Sequence, residues 1–207
     1  MMHLYDYIRI DHFRGYEASF AIGVNDEPKN GTWRISPGEE ILKKAHEALG
    51  PLPFIAEDLG FITMPVKKLM KEFGFLGMSV LQFYDGDIYK YKCDSERIAY
   101  TGTHDNETLM GYIENNLGND GDSTGMDEEK RLTERLRIYD ELIMRVYNSD
   151  APVKIVPLQD IAMLGNEARM NTPGEAHGNW TWQATSKDII AAEKNLKEIR
   201  AKKSQKT

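Results

Sequence analysis

The spacing of apolar residues changes period several times along the chain. Short β-branched or aromatic runs read as five strands: Ile8-Arg9-Ile10, Phe54-Ile55-Ala56, Met78 to Phe83, Ile98 to Thr101, and Val153 to Val156. Between them the spacing turns helical. Ile41, Leu42, Ala45, Ala48 and Leu49 share one face, with Ser36 as a predicted N-cap before Pro37 and Gly50-Pro51 as the stop. A second helix opens at Met64-Pro65, runs through Val66, Leu69, Met70 and Phe73, and closes at Gly74. Residues 106–117 and 127–148 are predicted helices on either side of the Gly/Asp-rich stretch Gly118 to Gly125. Gly23 to Pro37, with Asn25-Asp26, Pro28 and Asn30-Gly31, has the chemistry of a loop. From Ser186 onward the pattern predicts an amphipathic helix ending in a solvated basic tail, Lys202-Lys203-Ser204-Gln205-Lys206.

Strand–helix alternation with few hairpin signals predicts a parallel sheet covered by helices. Both a β/α barrel and an open doubly wound sheet satisfy that pattern. No G-x-G-x-x-G follows a strand and no G-x-x-x-x-G-K-[ST] is present, so the nucleotide-binding version loses its main support and the barrel leads. Composition changes this little: 41% of the 207 residues are apolar and 29% charged, an ordinary globular balance. A net charge of −7 argues against a nucleic-acid partner. No apolar run approaches the ~20 residues that span a bilayer, so no membrane role is expected. The single cysteine, Cys93, makes no internal disulfide, and the first residues lack a basic and apolar leader, so a cytoplasmic address is expected.

Candidate chemistry lies at the ends of the predicted strands, where Asp11, Glu57 and Asp105 fall. Side chains at the carboxyl ends of barrel strands converge on one face. The spacings, 57 − 11 = 46 and 105 − 57 = 48, fit one unit with a long inserted loop and then two ordinary units. Three carboxylates so placed suit glycosidic-bond chemistry: a nucleophile, an acid/base, and a group holding a distorted sugar. Arg9, two residues before Asp11, projects to the same side of a strand and can keep that carboxylate ionised. Trp180 and Trp182 are either sugar platforms or core residues and carry no assignment. Asp160 is expected to anchor backbone.

The stretch Tyr7-Ile8-Arg9-Ile10-Asp11-His12-Phe13-Arg14-Gly15, followed by Ile55-Ala56-Glu57-Asp58-Leu59-Gly60, resembles the nucleophile strand and then the acid/base segment of the 4-α-glucanotransferases (amylomaltase, or disproportionating enzyme). Tyr100 to Asn106 resembles the segment of the third carboxylate. Pro157 to Asp160, Gly165 to Gly174 and Asn179-Trp180-Thr181-Trp182 resemble the family's carboxyl-terminal signature. The resemblance implies that Asp11 attacks the anomeric carbon, Glu57 is acid and then base, and Asp105 holds hydroxyls of the distorted sugar. It assigns substrate contacts to Arg9, His104 and Asn171. It implies maltodextrin or another α-1,4-glucan as substrate, retention of the α linkage, no cofactor and no catalytic metal.

It further implies a fold class: α/β, the carboxyl-terminal part (about strands 4–8) of a (β/α)8 TIM barrel. Residues 1–185 would form that partial catalytic barrel, and 186–207 a terminal helix and basic tail. A complete barrel takes about 250 residues. A glucanotransferase fragment lacking the first strands is therefore expected, with an exposed sheet edge that pairs with a separate amino-terminal chain or with itself. The alternative is a catalytically silent remnant that binds glucan or such a chain.

Overall fold

The computed structural model describes residues 4–117 and 128–204, so the predicted Gly118–Gly125 linker and the end of the basic tail lie outside the described residues. The chain forms two compact units, Met1–Met78 and Ser79–Thr207. The architecture is mixed α/β with partial sheets.

In the first unit, β1 (Ile8–Ile10) lies parallel to β4 (Phe54–Ala56), in the register Ile8↔Phe54, Arg9↔Ile55, Ile10↔Ala56. The connection between them contains α1 (Arg14–Glu17), a hairpin of β2 (Ala18–Ala21) and β3 (Thr32–Ile35), and α2 (Gly38–Leu49). From β4, α3 (Met64–Phe73) crosses back to a further parallel bridge, Ile55↔Leu76. Phe13, Leu42, Ala56, Val66, Leu69 and Phe75 fill the core beneath. Burying aliphatic and aromatic side chains of this size, each worth roughly 1.5–3 kcal/mol, is what holds these short strands together.

The hairpin corrects the expected loop at Gly23–Pro37. Thr32-Trp33-Arg34-Ile35 alternates as a strand should, but all four residues are exposed, so no buried face announces it. A cross-strand aromatic pair, Phe20 with Trp33 at 5.3 Å between ring centres, holds the ladder. The start of α2 also differs from expectation. Pro37 stands at its cap, Ser36 makes no capping bond, and Gly38 is the first helical residue. A Cβ on Gly38 would lie 2.0 Å from the Tyr16 carbonyl oxygen, so close backbone approach rather than capping sets this boundary. The predicted closure of α3 at Gly74 holds, in a left-handed conformation (φ 69°).

The unit boundary falls within β5 (Gly77–Val80). A three-stranded sheet has the order β5-β6-β7, with β6 (Arg97–Tyr100) parallel to β7 (Lys154–Ile155). The expected strand Met78–Phe83 is thus shorter, because Leu81–Phe83 winds into a 3-10 turn. Between β6 and β7 come α4 (Leu109–Tyr112), a π-helical turn Ile113–Leu117, and α5 (Glu128–Tyr147). The helix expected over 106–117 therefore begins late, where the Thr108 hydroxyl accepts from the Gly111 amide at 3.1 Å. Two short turns, α6 (Leu158–Ile161) and a 3-10 turn at Asn166–Ala168, precede α7 (Ser186–Ser204). Leu109, Ile113, Tyr139, Leu142, Ile143 and Ile199 form the second core. At the end of α7, Lys203 and Ser204 are exposed, as expected of a solvated tail, while Lys202 Nζ lies 2.6 Å from Asp140 Oδ2 of α5. Among the described residues, no helix is long and apolar enough to cross a membrane.

Candidate active site

In the first unit, the parallel register places Asp11 and Glu57 one residue beyond adjacent strand ends. The Glu57 amide donates to the Ile10 carbonyl (2.9 Å), and the Phe13 amide to the Glu57 carbonyl (3.1 Å), so the ladder continues past both strands. The chain turns sharply at His12, whose φ is 47°. That turn aims the His12 amide at Glu57 Oε2 (2.8 Å), while the Leu59 amide holds Oε1 at 2.7 Å. Both oxygens of the carboxylate are thereby oriented by backbone, one of them from the residue next to Asp11. Arg9 Nη2 meets Asp11 Oδ1 at 2.6 Å, and Arg9 Nε lies 3.3 Å from the Met78 sulfur. The Asp11 side chain remains 73% exposed. Asp58 turns the other way and is buried, accepting from the Met78 amide at 2.8 Å.

In the second unit, Asp105 does not sit at the strand end where the pattern expected it. The strand β6 stops at Tyr100, and Asp105 lies in a tight turn closed by Asn106 N to Thr103 O at 3.2 Å. Side chains distant in sequence hold it there. Asn171 Nδ2 donates to Asp105 Oδ1 (2.6 Å), and His104 Nε2 lies 3.4 Å from the same oxygen. Arg169 braces both segments of the arrangement, donating from Nη2 to the Asp105 carbonyl (2.7 Å) and from Nε to the Asn171 carbonyl (2.9 Å). The Asn171 amide closes on the His104 carbonyl at 3.0 Å.

Asp160 secures the base of that loop. It is 1% exposed; its Oδ2 accepts from the Thr101 hydroxyl (2.5 Å) and its Oδ1 from the Leu109 amide (2.7 Å). These contacts clamp the residues before and after the Asp105 turn, as expected for a backbone anchor. Burial pushes the Asp160 carboxyl up to about 6, with the two hydrogen bonds opposing the shift. A cavity of about 150 Å³ behind the turn is lined by His104, Glu107, Asp160 and Arg169, among others.

Arg9, Asp11 and Glu57 are therefore neighbours within the first unit, and His104, Asp105 and Asn171 within the second. Arg169 lies inside the Gly165–Gly174 motif, but nothing in its sequence position marks it as a site residue; only folding shows that its guanidinium reaches two carbonyls. Trp180 is 60% exposed and is not a core residue. Cys93 is buried, and desolvation pushes its thiol up, which makes it a poor nucleophile. Among the described residues, no group of three or more His, Cys, Asp or Glu side chains could hold a metal.

The profile of the family described as 4-alpha-glucanotransferase matches residues 1–188. A 4-alpha-glucanotransferase of Aquifex aeolicus is 38% identical over 192 residues, covering 87% of this chain and 38% of that protein. One of Synechocystis is 38% identical over 193 residues, covering 86% of this chain and 36% of its own length. Among solved structures, the amylomaltase of Streptococcus agalactiae in complex with acarbose superposes with a TM-score of 0.77 at 31% identity. That match covers 96% of this chain and 41% of the other. The chain thus spans about a third to two fifths of the length of the curated relatives it matches.

Proposed function

The chain belongs to the 4-alpha-glucanotransferase family, and we propose that its carboxylates serve a retaining transfer of α-1,4-glucan segments between maltodextrins. Asp11 attacks the anomeric carbon; the C1–O4 bond breaks, and Glu57 gives its proton to the leaving oxygen. An acceptor 4-hydroxyl then passes its proton to Glu57 and forms the new O4–C1 bond, releasing Asp11. Two displacements at one carbon keep the α configuration. Arg9 orients the nucleophile through a charge-assisted contact. Asp105, with His104 and Asn171, binds hydroxyls of the sugar under attack.

One observation carries this reading: the His12 amide, adjacent to Asp11, hydrogen-bonds Glu57 Oε2 at 2.8 Å. Parallel pairing brings Asp11 and Glu57 to neighbouring strand ends, which supports double displacement, a mechanism that needs its two carboxyl groups about 5–5.5 Å apart. The likeness to the acarbose-bound amylomaltase supports an α-glucan as substrate. In the same reading β1, β4, β5, β6 and β7 are about strands 4–8 of a (β/α)8 barrel, residues 186–207 are a carboxyl-terminal helix and basic tail, and the address is cytoplasmic.

A second reading, a silent remnant that binds glucan, draws on the 38% of the Aquifex protein that the chain spans. Maltotriose disproportionation separates the two. It is measured for the 207-residue chain alone and with a polypeptide supplying the remainder of a relative's length. Weak turnover alone and strong turnover on addition supports the transferase reading; no turnover in either arm leaves the remnant.

A further inference from the structure

We infer that Trp180 is a stacking platform for a glucose ring of the bound glucan, placed beside the His104–Asp105 turn. This rests on the glucan reading above. Of the three tryptophans, Trp33 carries the Arg14 guanidinium 3.9 Å over its ring and Phe20 against it, and Trp182 is half-buried. Trp180 is the most open, at 60%, and its ring centre lies 5.1 Å from that of His104 at a tilt of 37°.

The backbone holds this exposed indole in an unfavourable shape. Trp180 has φ 61°, a left-handed conformation that is an outlier for a bulky residue. It persists because neighbouring contacts enforce it. The Trp180 amide donates to the Met170 carbonyl at 2.7 Å, and Asn179 is tied to the Thr172 amide (2.8 Å) and the Glu175 carbonyl (2.9 Å). Strain of this kind clusters at active sites and ligand clamps. The ring's surroundings match a pyranose: a broad apolar surface for its C–H face, with the half-exposed Asp105, His104 and Asn171 within reach of its hydroxyls.

The test is a titration of the ¹⁵N-labelled 207-residue chain with maltoheptaose, with cellohexaose as the β-linked control, following the indole N–H signals. Trp180→Phe identifies the Trp180 signal by its disappearance. The platform predicts that this signal moves with maltoheptaose and not with cellohexaose, and that Trp180→Ala weakens binding about tenfold while Trp180→Phe weakens it less. A tryptophan that only buttresses His104 would stay unshifted; other resonances moving while it does not, with Trp180→Ala binding as tightly as the parent, overturns the platform alone. If maltoheptaose moves no resonance of the unaltered chain, the glucan reading falls as well. The titration of the unaltered chain decides the matter even if the alanine variant fails to fold.

Discussion

The two units hold their candidate carboxylates by different means. In the first, Asp11 and Glu57 continue two parallel strands, and Glu57 is oriented by main-chain amides of His12 and Leu59. In the second, Asp105 stands in a turn beyond its strand, braced by the side chains of Asn171 and Arg169 and, one layer deeper, Asp160. A backbone-built site tolerates loss of its neighbouring side chains; a side-chain-built site does not.

The largest effect is expected at the nucleophile. In a complemented enzyme Asp11→Asn should lower transfer by at least about 10³-fold, because the amide cannot form the glycosyl ester. Maltodextrin binding should survive. Mass spectrometry checks this, and a covalent adduct persisting in the variant would place the nucleophile elsewhere.

Next comes the buried anchor of the second unit. The folded-state value of the Asp160 carboxyl is raised from 3.8 to about 6, so the folded protein binds this proton more tightly than the unfolded chain. The group's contribution to stability is therefore greatest below pH 4 and falls as pH rises from about 4 to 6, by at most about 3 kcal/mol. Asp160→Asn should remove that decline. Urea denaturation of both proteins at several pH values reads the difference, and parallel curves for parent and variant would refute it.

A smaller loss, about 1–3 kcal/mol, is expected for Arg169→Ala, which strips the Asp105 and Asn171 carbonyls of a charged donor. Amide exchange should quicken in residues 103–106 and leave residues 10–13 unchanged. Equal quickening in both segments would erase the contrast between the units. Smallest is Arg9→Gln: its partner Asp11 is largely exposed, so stability should change by less than about 1 kcal/mol. A thermal shift well beyond that would mean the first unit also depends on side-chain bracing.

The contrast also explains what could be read in advance. Asp11 and Glu57 were legible because each directly follows a short apolar run, and parallel pairing carries them side by side. The ion pair of Arg9 with Asp11 follows from the two-residue repeat of a strand. Asp105 differs: the predicted strand already closes at Thr101, and residues 101–104 between it and Asp105 form a turn rather than a continuation of β6. The β2–β3 hairpin escaped for a related reason: β3 is exposed along its length, and its pairing depends on an aromatic contact across the ladder.

Local order along the chain was enough to specify the helices α2, α3, α5 and α7, the parallel strands, and two of the three carboxylates. Periodicity and turn residues act over a few positions and need no distant partner. Tertiary structure alone decided where α2 begins, through a backbone approach at Tyr16 that leaves no room for a Cβ on Gly38, and how Asp105 is held, through residues more than 60 positions away. It also decided that Trp180 faces outward beside His104. Those outcomes depend on which surfaces meet when the chain closes on itself, and that information is carried by shape and hydrogen-bond reach rather than by spacing.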